Sequence, residues 1–170
     1  MKDNKCNGAT NVNVLFVCMG NICRSPTAHG VFQSLIDLDG LSQFITVDSA
    51  GTYDFHIGKK PDARSIAAAA KRNFDLTNLR ARQIVASDFK KFDLILAMDN
   101  ENYLDLQSQS NNEDKGKIKL FLEFSSLPMN SEVPDPYYSG EDGFETVLDL
   151  VEDASRGLLA HIKVTHLSNL

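Results

Sequence analysis

The chain has 170 residues, of which 42% are hydrophobic and 24% are charged, and its formal net charge is −6 at pH 7. This length and composition predict one globular domain with a substantial hydrophobic core, and they exclude disordered and fibrous classes. The acidic charge argues against nucleic acid as a partner, and no apolar run approaches the roughly 20 residues that span a bilayer.

Two features of the sequence bear on the cellular compartment: the first eleven residues and the number of cysteines. Residues 1–11 lack the apolar stretch of a secretory signal and are predicted to form a polar tail before a domain at residues 12–170. Cys6, Cys18 and Cys23 form no even-numbered disulfide framework. Such cysteine usage is typical of reactive thiols in a reducing compartment, so the predicted location is the cytoplasm.

Four short apolar runs are predicted to be strands, and helical patterns separate them. The predicted strands are Val12–Val17, Phe44–Ser49, Asp93–Met98 and Lys117–Leu122. The first is nearly continuous in apolar character, as expected of a strand buried on both faces. Alternation of strands and helices favours a parallel sheet covered by helices. The predicted fold class is therefore α/β, a single doubly wound domain with a four-stranded parallel sheet flanked by helices.

Helices are predicted between and after these strands. The first begins near Pro26 and the second at Pro61-Asp62, since proline suits the first helical position. A short helix covers 100–106, and the polar stretch 107–117 is predicted to be a surface excursion. The closing segment carries one apolar helical stripe, formed by Phe144, Val147, Leu148, Val151, Leu158 and Ile162.

The connection between the first strand and the first helix has the composition of a phosphate-binding loop. Gly20 and Asn21 permit unusual backbone angles. The backbone N–H groups of such a loop converge on one point, and the following helix N-terminus adds positive potential. That field favours a thiolate at Cys18, and Arg24 can bind two phosphate oxygens at once. The predicted phosphate-binding residues are Met19, Gly20, Asn21, Ile22, Cys23 and Arg24.

Three other interpretations of this loop compete with a phosphate site. Ser25 could donate a hydrogen bond to the Cys18 sulfur, but in a purely structural alternative Cys18 is a buried cysteine and Ser25 an N-cap. A Walker loop needs a lysine that is absent here. A zinc site needs more ligands than Cys18, Cys23 and four scattered histidines supply. No metal or organic cofactor is predicted.

A candidate acid lies in the segment 133–138. Ligands of doubly wound folds bind at the carboxyl ends of the strands, so a second loop at that edge should supply the partner of the phosphate loop. Asp135 lies between two prolines, which stiffen the chain, and Tyr137 and Tyr138 follow. An aromatic, partly dry pocket favours a protonated carboxyl group, which suits a proton donor. A solvated loop aspartate beside core tyrosines is the alternative.

The two motifs at 17–26 and 135–138 together closely resemble the low-molecular-weight protein tyrosine phosphatases. Weaker matches fill the middle of the chain at Asp48–Thr52, Pro61–Arg64, Arg82–Ile84 and Met98–Asp99. The resemblance covers nearly the whole chain from about Val14 onward. It implies that the domain hydrolyses phosphotyrosine proteins or small aryl phosphates through a phosphocysteine, with inorganic phosphate or vanadate as inhibitors.

The resemblance also implies a role for each matched residue of the reaction centre. Cys18 is the implied nucleophile, Arg24 the phosphate-binding arginine and Asp135 the general acid. Ser25 supports the thiolate. Asn21 holds the loop in its strained shape. The remaining supporting residue is Ser49, implied to brace the loop through Asn21.

Two further features follow from the same resemblance. Cys23 is the implied redox partner, a second thiol that can trap Cys18 in a reversible disulfide. The implied substrate pocket is walled by Ile22, Phe55, Tyr137 and Tyr138. Phe55 stands where a tryptophan or another aromatic residue is usual.

Three alternative functions stay open on the sequence. Arsenate reduction on the same fold needs further cysteines downstream, and none follows Cys23. Phosphoarginine hydrolysis is the second, although relatives with that activity carry threonine at the position of Ile22. A non-catalytic phosphate-binding module would need only Arg24 and the loop amides, so the presence of Cys18 and Asp135 favours an enzyme.

Overall fold

The computed structural model describes residues 11–127 and 131–168. One parallel sheet contains the strands β1 (Val12–Cys18), β2 (Ile45–Gly51), β3 (Leu94–Ala97) and β4 (Ile118–Leu120). Their order across the sheet is β2-β1-β3-β4. The predicted four-stranded parallel sheet is confirmed, whereas most of the predicted tail at 1–11, with Cys6, lies outside the described residues.

Helices cover both faces of the sheet. They are α1 (Arg24–Leu38), α2 (Ala63–Lys71), α3 (Asp88–Lys91), α4 (Asn100–Gln109) and α5 (Glu141–Thr165). On one face Phe16 packs with residues of α1, α2 and α5, and the predicted stripe of α5 is buried there. On the other face Leu15 and Val17 pack with residues of α3 and α4. The doubly wound architecture is therefore confirmed, and the continuous apolar pattern of β1 reflects burial on both sides.

The predicted fourth strand is only partly correct. The strand covers Ile118–Leu120, and the residues Phe121–Phe124 form a short 3-10 helix instead. Phe121 turns into the core, where its ring centroid lies 5.0 Å from that of Phe16. Burial of this large ring outweighs the β propensity of the sequence.

Other boundaries differ by a few residues from those predicted. Helix α1 begins at Arg24 rather than near Pro26, and α4 extends to Gln109, into the stretch predicted to be a surface excursion. The four-residue helix α3 was not predicted. No helix in the described ranges is long and apolar enough to cross a membrane.

The order of the strands places the phosphate loop, residues 18–25, at one crevice. The neighbours of β1 are β2 on one side and β3 on the other, so the chain order reverses at β1. Loops at the carboxyl ends of strands flanking such a reversal open a crevice in which ligands bind. Cys18 is the last residue of β1 and Arg24 the first of α1, so the loop between them lies at that crevice.

Candidate active site

The sulfur of Cys18 is held by two groups of its own loop. Ser25 Oγ lies 3.0 Å from Cys18 Sγ, and the Asn21 backbone N–H donates to the same sulfur over 3.3 Å. Ser25 Oγ also accepts a hydrogen bond of 2.8 Å from Asn21 Nδ2. Because Ser25 already accepts that bond, its own proton is available to the sulfur, which is nearer than the Ala50 carbonyl at 3.4 Å. Both contacts stabilise negative charge on Cys18.

Asn21 gives the phosphate loop its shape. Its φ of 54° lies in the left-handed region, which asparagine tolerates better than most residues. Its Oδ1 accepts from the Arg82 backbone N–H over 3.0 Å, so the side chain ties the loop to a distant segment. Gly20, in contrast, has no positive φ. A Cβ at Gly20 would lie 2.9 Å from His56 Cδ2, so a side chain there would displace the His56 ring.

The bracing role predicted for Ser49 is not seen among the described contacts. Ser49 Oγ lies 3.2 Å from His29 Nδ1 in α1, and it makes no hydrogen bond with Asn21. The position of Asn21 is instead set by Ser25 and the Arg82 backbone. Burial lowers the pKa of His29 although Asp48 is nearby, and the neutral imidazole can share one proton with the Ser49 hydroxyl.

Arg24 is a buried cation that faces several acceptors. Its side chain is 3% exposed. Nη1 donates to Asp99 Oδ2 over 2.5 Å and to the Val133 carbonyl over 3.1 Å, while Nη2 lies 3.6 Å from Asp135 Oδ2. Burial alone would lower the pKa of Arg24, but the negative groups of Cys18, Asp99 and Asp135 raise it. The guanidinium therefore stays charged at the base of the crevice.

Asp99 is a residue whose role the sequence did not reveal. Besides pairing with Arg24, it caps α4 by accepting from the Asn102 backbone N–H over 2.8 Å. The weak match at Met98–Asp99 was the only signal for it. Asp99 thus orients the arginine from the carboxyl end of β3.

The acid loop, residues 133–138, brings Asp135 to the same crevice. The Val133 N–H donates to the Met98 carbonyl over 2.8 Å, which attaches the loop beside β3. Asp135 Oδ1 accepts from the Tyr137 N–H over 3.0 Å. The Asp135 side chain is 46% exposed, so this carboxyl group is wetter than the partly dry pocket that was predicted.

One cavity of about 270 Å³ brings the two loops together. It is lined by Cys18, Met19, Gly20, Ile22, Cys23, Arg24, Phe55, His56, Asp135, Tyr137 and Tyr138. Every predicted catalytic and pocket residue is in this set, whereas Asn21, Ser25 and Ser49 lie behind the surface. His56 was not predicted, because a single histidine in a loop gives no signal by itself. The rim is aromatic, with Phe55 stacked on Tyr53 at 5.4 Å between ring centroids.

Cys23 is a buried thiol in the wall of this cavity. Burial and, after it, the negative charge of Asp62 raise the pKa of Cys23 to about 12. Cys18 and Cys23 are both free in the described part of the chain. Within the described residues, 11–127 and 131–168, no group of three or more His, Cys, Asp or Glu side chains could hold a metal ion.

The end of β2 supports the phosphate loop from behind. The N–H groups of Thr52 and Tyr53 donate to the carbonyls of Cys18 and Met19 over 2.9 and 3.0 Å. A Cβ at Gly51 would lie only 2.7 Å from the Met19 carbonyl oxygen. The loop therefore rests against a backbone that has no side chain at this position.

Comparison with known proteins identifies this arrangement. The family model of the low molecular weight phosphotyrosine protein phosphatases matches residues 13–167. A putative low molecular weight protein-tyrosine-phosphatase of Synechocystis is 44% identical over 152 residues, which cover 89% of this chain and 96% of the relative. A crystal structure of a protein tyrosine phosphatase from Entamoeba histolytica has a TM-score of 0.88 and 40% identity, and the match covers 91% of this chain and 98% of that chain.

The fold and these matches define a protein tyrosine phosphatase, an enzyme that hydrolyses phosphoric monoesters. More particularly, the chain belongs to the low molecular weight phosphotyrosine protein phosphatase family. The predicted family is confirmed. A structure of a Drosophila arginine phosphatase has the same fold, with a TM-score of 0.82 and 34% identity over 88% of this chain and 97% of that chain.

Proposed function

We propose that this phosphatase acts through a phosphocysteine intermediate on Cys18, with Arg24 and Asp135 as its catalytic partners. The observation that carries the proposal is the single cavity lined by all three residues. The contacts of Cys18 Sγ with Ser25 Oγ and the Asn21 N–H support a thiolate, which is the nucleophilic form of cysteine.

The first step transfers the phosphoryl group to sulfur. The Cys18 thiolate forms the S–P bond while the P–O bond to the leaving group breaks. Asp135 donates a proton to the departing oxygen, so that the product leaves as a neutral alcohol or phenol. Arg24 and the backbone N–H groups of residues 19–24 bind the equatorial oxygens, and such preorganised charge is usually the largest contribution to catalysis.

The second step releases inorganic phosphate. The Asp135 carboxylate accepts a proton from a water molecule whose oxygen attacks phosphorus. The S–P bond breaks and its electron pair returns to Cys18, which restores the thiolate. Two easier displacements thus replace one difficult displacement. Inorganic phosphate and vanadate should inhibit by occupying the same loop.

We propose phosphotyrosine proteins and small aryl phosphates as the substrates. Ile22, Phe55, Tyr137 and Tyr138 line the cavity and offer apolar and aromatic surface to a phenyl ring. A phosphoserine has no ring to fill that space, and its alkoxide is a poorer leaving group. Phosphoarginine is the second candidate, favoured by the structural similarity to the Drosophila arginine phosphatase. A guanidinium gains no hydrogen bond from Ile22, which argues for the phenyl ring.

A panel of matched phosphopeptides tests this assignment. We expect kcat/KM for phosphotyrosine to exceed that for phosphoserine and phosphoarginine by at least about tenfold, a difference of about 1.4 kcal/mol in transition-state binding. The assay contains a chelator, and full activity should remain. Cys18→Ser on the same peptides controls for contaminating phosphatases. Equal rates on all three peptides, or a preference for phosphoarginine, would contradict the proposed substrate.

We also propose that Cys23 protects Cys18 through a reversible disulfide and that the enzyme acts in the cytoplasm. Both cysteines belong to one short loop and line one cavity, which supports the pairing. Their free thiols fit a reducing compartment. The acidic net charge of −6 supports a phosphoprotein or small-molecule partner rather than nucleic acid.

A further inference from the structure

Arg64, in the first turn of α2, connects Asp62 at the start of that helix with Tyr137 of the acid loop. Its Nε donates to Asp62 Oδ1 over 3.0 Å and its Nη2 to Asp62 Oδ2 over 2.9 Å. Its Nη1 donates to the Tyr137 carbonyl over 3.0 Å. A bidentate pair with a carboxylate fixes the orientation of the guanidinium, so the third hydrogen bond has a defined direction.

Two aromatic rings also contact the same guanidinium. Its carbon atom lies 4.7 Å from the ring centroid of Phe144 in α5 and 5.4 Å from that of Tyr137. Both distances are within the range of a cation–π interaction. Although the Arg64 side chain is 45% exposed, its head group is therefore fixed between α5 and the acid loop.

Asp62 attaches this pair to the phosphate loop. The Asp62 backbone N–H donates to the Ile22 carbonyl over 2.8 Å. The Asp62 side chain also accepts from the Arg64 backbone N–H over 2.9 Å as the N-cap of α2. A continuous path of hydrogen bonds therefore runs from Ile22 through Asp62 and Arg64 to Tyr137.

The last link of this path reaches the carboxyl group of the acid. Tyr137 accepts from Arg64 at its carbonyl, and its own N–H donates to Asp135 Oδ1 over 3.0 Å. The position of Tyr137 therefore determines where the Asp135 carboxyl group lies. The Arg24 contact with Asp135, at 3.6 Å, is too long for a hydrogen bond and cannot replace this support.

We infer that Arg64 is a positioning residue for the general acid: it sets the place of Asp135 relative to Cys18 by holding the Tyr137 backbone. The inference rests on the proposed role of Asp135. Arg64 touches neither the phosphate loop amides nor Asp135 and acts on the acid through the Tyr137 backbone. The Tyr137 ring, which Arg64 also contacts, faces both aryl leaving groups alike, so a loss confined to phosphotyrosine reports on proton transfer. A displacement of about 1 Å can cost a reaction about 10²-fold.

Kinetics with two leaving groups test this inference. We expect Arg64→Ala to lower kcat/KM about 10- to 100-fold for a phosphotyrosine peptide, which needs a proton donor. For p-nitrophenyl phosphate, whose leaving group is stable without protonation, the loss should be less than about threefold, and inhibition by inorganic phosphate should be unchanged. Arg64→Lys keeps the charge without the fork and should give an intermediate loss. Arg80→Ala is the matched control, because within the described residues the Arg80 guanidinium donates hydrogen bonds only to the carbonyls of Thr77 and Leu79.

A double-mutant cycle separates this inference from the proposed mechanism. In the Asp135→Ala background, adding Arg64→Ala should cause no further loss, since the acid that Arg64 positions is gone. Equal losses on both substrates, no loss, or additive losses in the cycle would overturn the role of Arg64. An Asp135→Ala variant that loses activity equally on both substrates would instead overturn the proposed acid. Thermal unfolding shows whether each variant is folded. If Arg64→Ala is unfolded, the same comparison of the two substrates is made with Arg64→Lys.

Discussion

The phosphate loop and the acid loop meet in one cavity, yet they are held in opposite ways. In the phosphate loop the functional side chains are almost completely buried; they are Cys18, Asn21, Arg24 and Ser25. Cys18, Asn21 and Ser25 are bonded to one another, and Arg24 is bonded to Asp99. In the acid loop the Asp135 side chain is 46% exposed and Tyr138 is 95% exposed. A few hydrogen bonds hold this second loop; their donors are Val133, Tyr137, Arg64 and Arg24, which binds the Val133 carbonyl.

This difference separates two tasks. A buried polar group that loses its partner costs about 1–3 kcal/mol, so the site that binds phosphate is part of what stabilises the fold. An exposed loop can change with little cost in stability. We therefore expect changes in the phosphate loop and its supports to affect folding as well as catalysis. Changes at the exposed positions of the acid loop, such as Asp135, should affect catalysis alone.

Cys18→Ser should have the largest effect on turnover. A serine hydroxyl at this position has no adjacent base, since its neighbour Ser25 Oγ is itself a hydroxyl, and it stays protonated. Turnover should fall below detection, whereas vanadate should still bind, because Arg24 and the loop amides remain. Steady-state assays and calorimetric titration measure the two properties. Substantial activity of the purified variant would contradict a covalent mechanism.

Asp135→Ala should have the next largest effect and should leave stability intact. The phenol of tyrosine has a pKa of about 10, so its departure without a proton is slow. We expect kcat/KM for phosphotyrosine to fall by roughly 10²–10⁴, with a smaller loss for p-nitrophenyl phosphate. The free energy of unfolding should change by less than about 0.5 kcal/mol. A large loss of stability would remove the contrast between the two loops.

Asp99→Ala, unlike Asp135→Ala, should lower the stability of the fold. It leaves the buried Arg24 guanidinium without its closest carboxylate, which should lower the free energy of unfolding by about 2–4 kcal/mol. Inorganic phosphate should restore part of the loss, since an anion bound to Arg24 stabilises the folded state. Asp99→Asn keeps the cap of α4 and isolates the effect of the charge. Urea unfolding with and without phosphate measures both, and wild-type stability of Asp99→Ala would show that Arg24 needs no partner.

Oxidation should cause the smallest lasting change in activity, because thiol reductant reverses it. Mild peroxide should inactivate the enzyme, thiol reductant should restore it, and mass mapping should find Cys18 linked to Cys23. With the pKa of Cys23 raised to about 12, its thiolate is scarce at neutral pH. Disulfide closure should therefore accelerate as the pH rises from 6 to 8, by up to about tenfold per unit. Cys23→Ser should make recovery less complete; a Cys6 disulfide or a rate independent of pH would contradict this route.

The features that sequence alone predicted are local. The apolar run of β1, the loop after it and the helix that follows lie within one continuous segment, and two specific motifs identified the family. The predicted cavity residues Ile22, Phe55, Tyr137 and Tyr138 do line one cavity. They were named from the family resemblance, because spacing along the chain does not show which loops meet.

The features that sequence did not predict are contacts between distant residues. Arg24 and Asp99 are 75 positions apart, Arg64 and Tyr137 are 73 apart, and Asn21 binds a backbone group 61 positions away. Arginine and aspartate are common surface residues, so their types carry no signal until the fold brings them together. Ser49 was assigned the wrong neighbour for the same reason, because the polar groups that face α1 depend on the register of β2.

Gly51 shows that a residue outside the cavity can determine the shape of the active site. No substrate can touch it, since the phosphate loop lies between it and the cavity. Yet a methyl group there would lie 2.7 Å from the Met19 carbonyl oxygen and 3.1 Å from that of Tyr53, so the backbone of the phosphate loop would have to shift. Any side chain at this position would change the shape of the site from the rear. An inherited change of Gly51 would therefore disturb the active site as well as the fold, although the altered residue never meets the substrate.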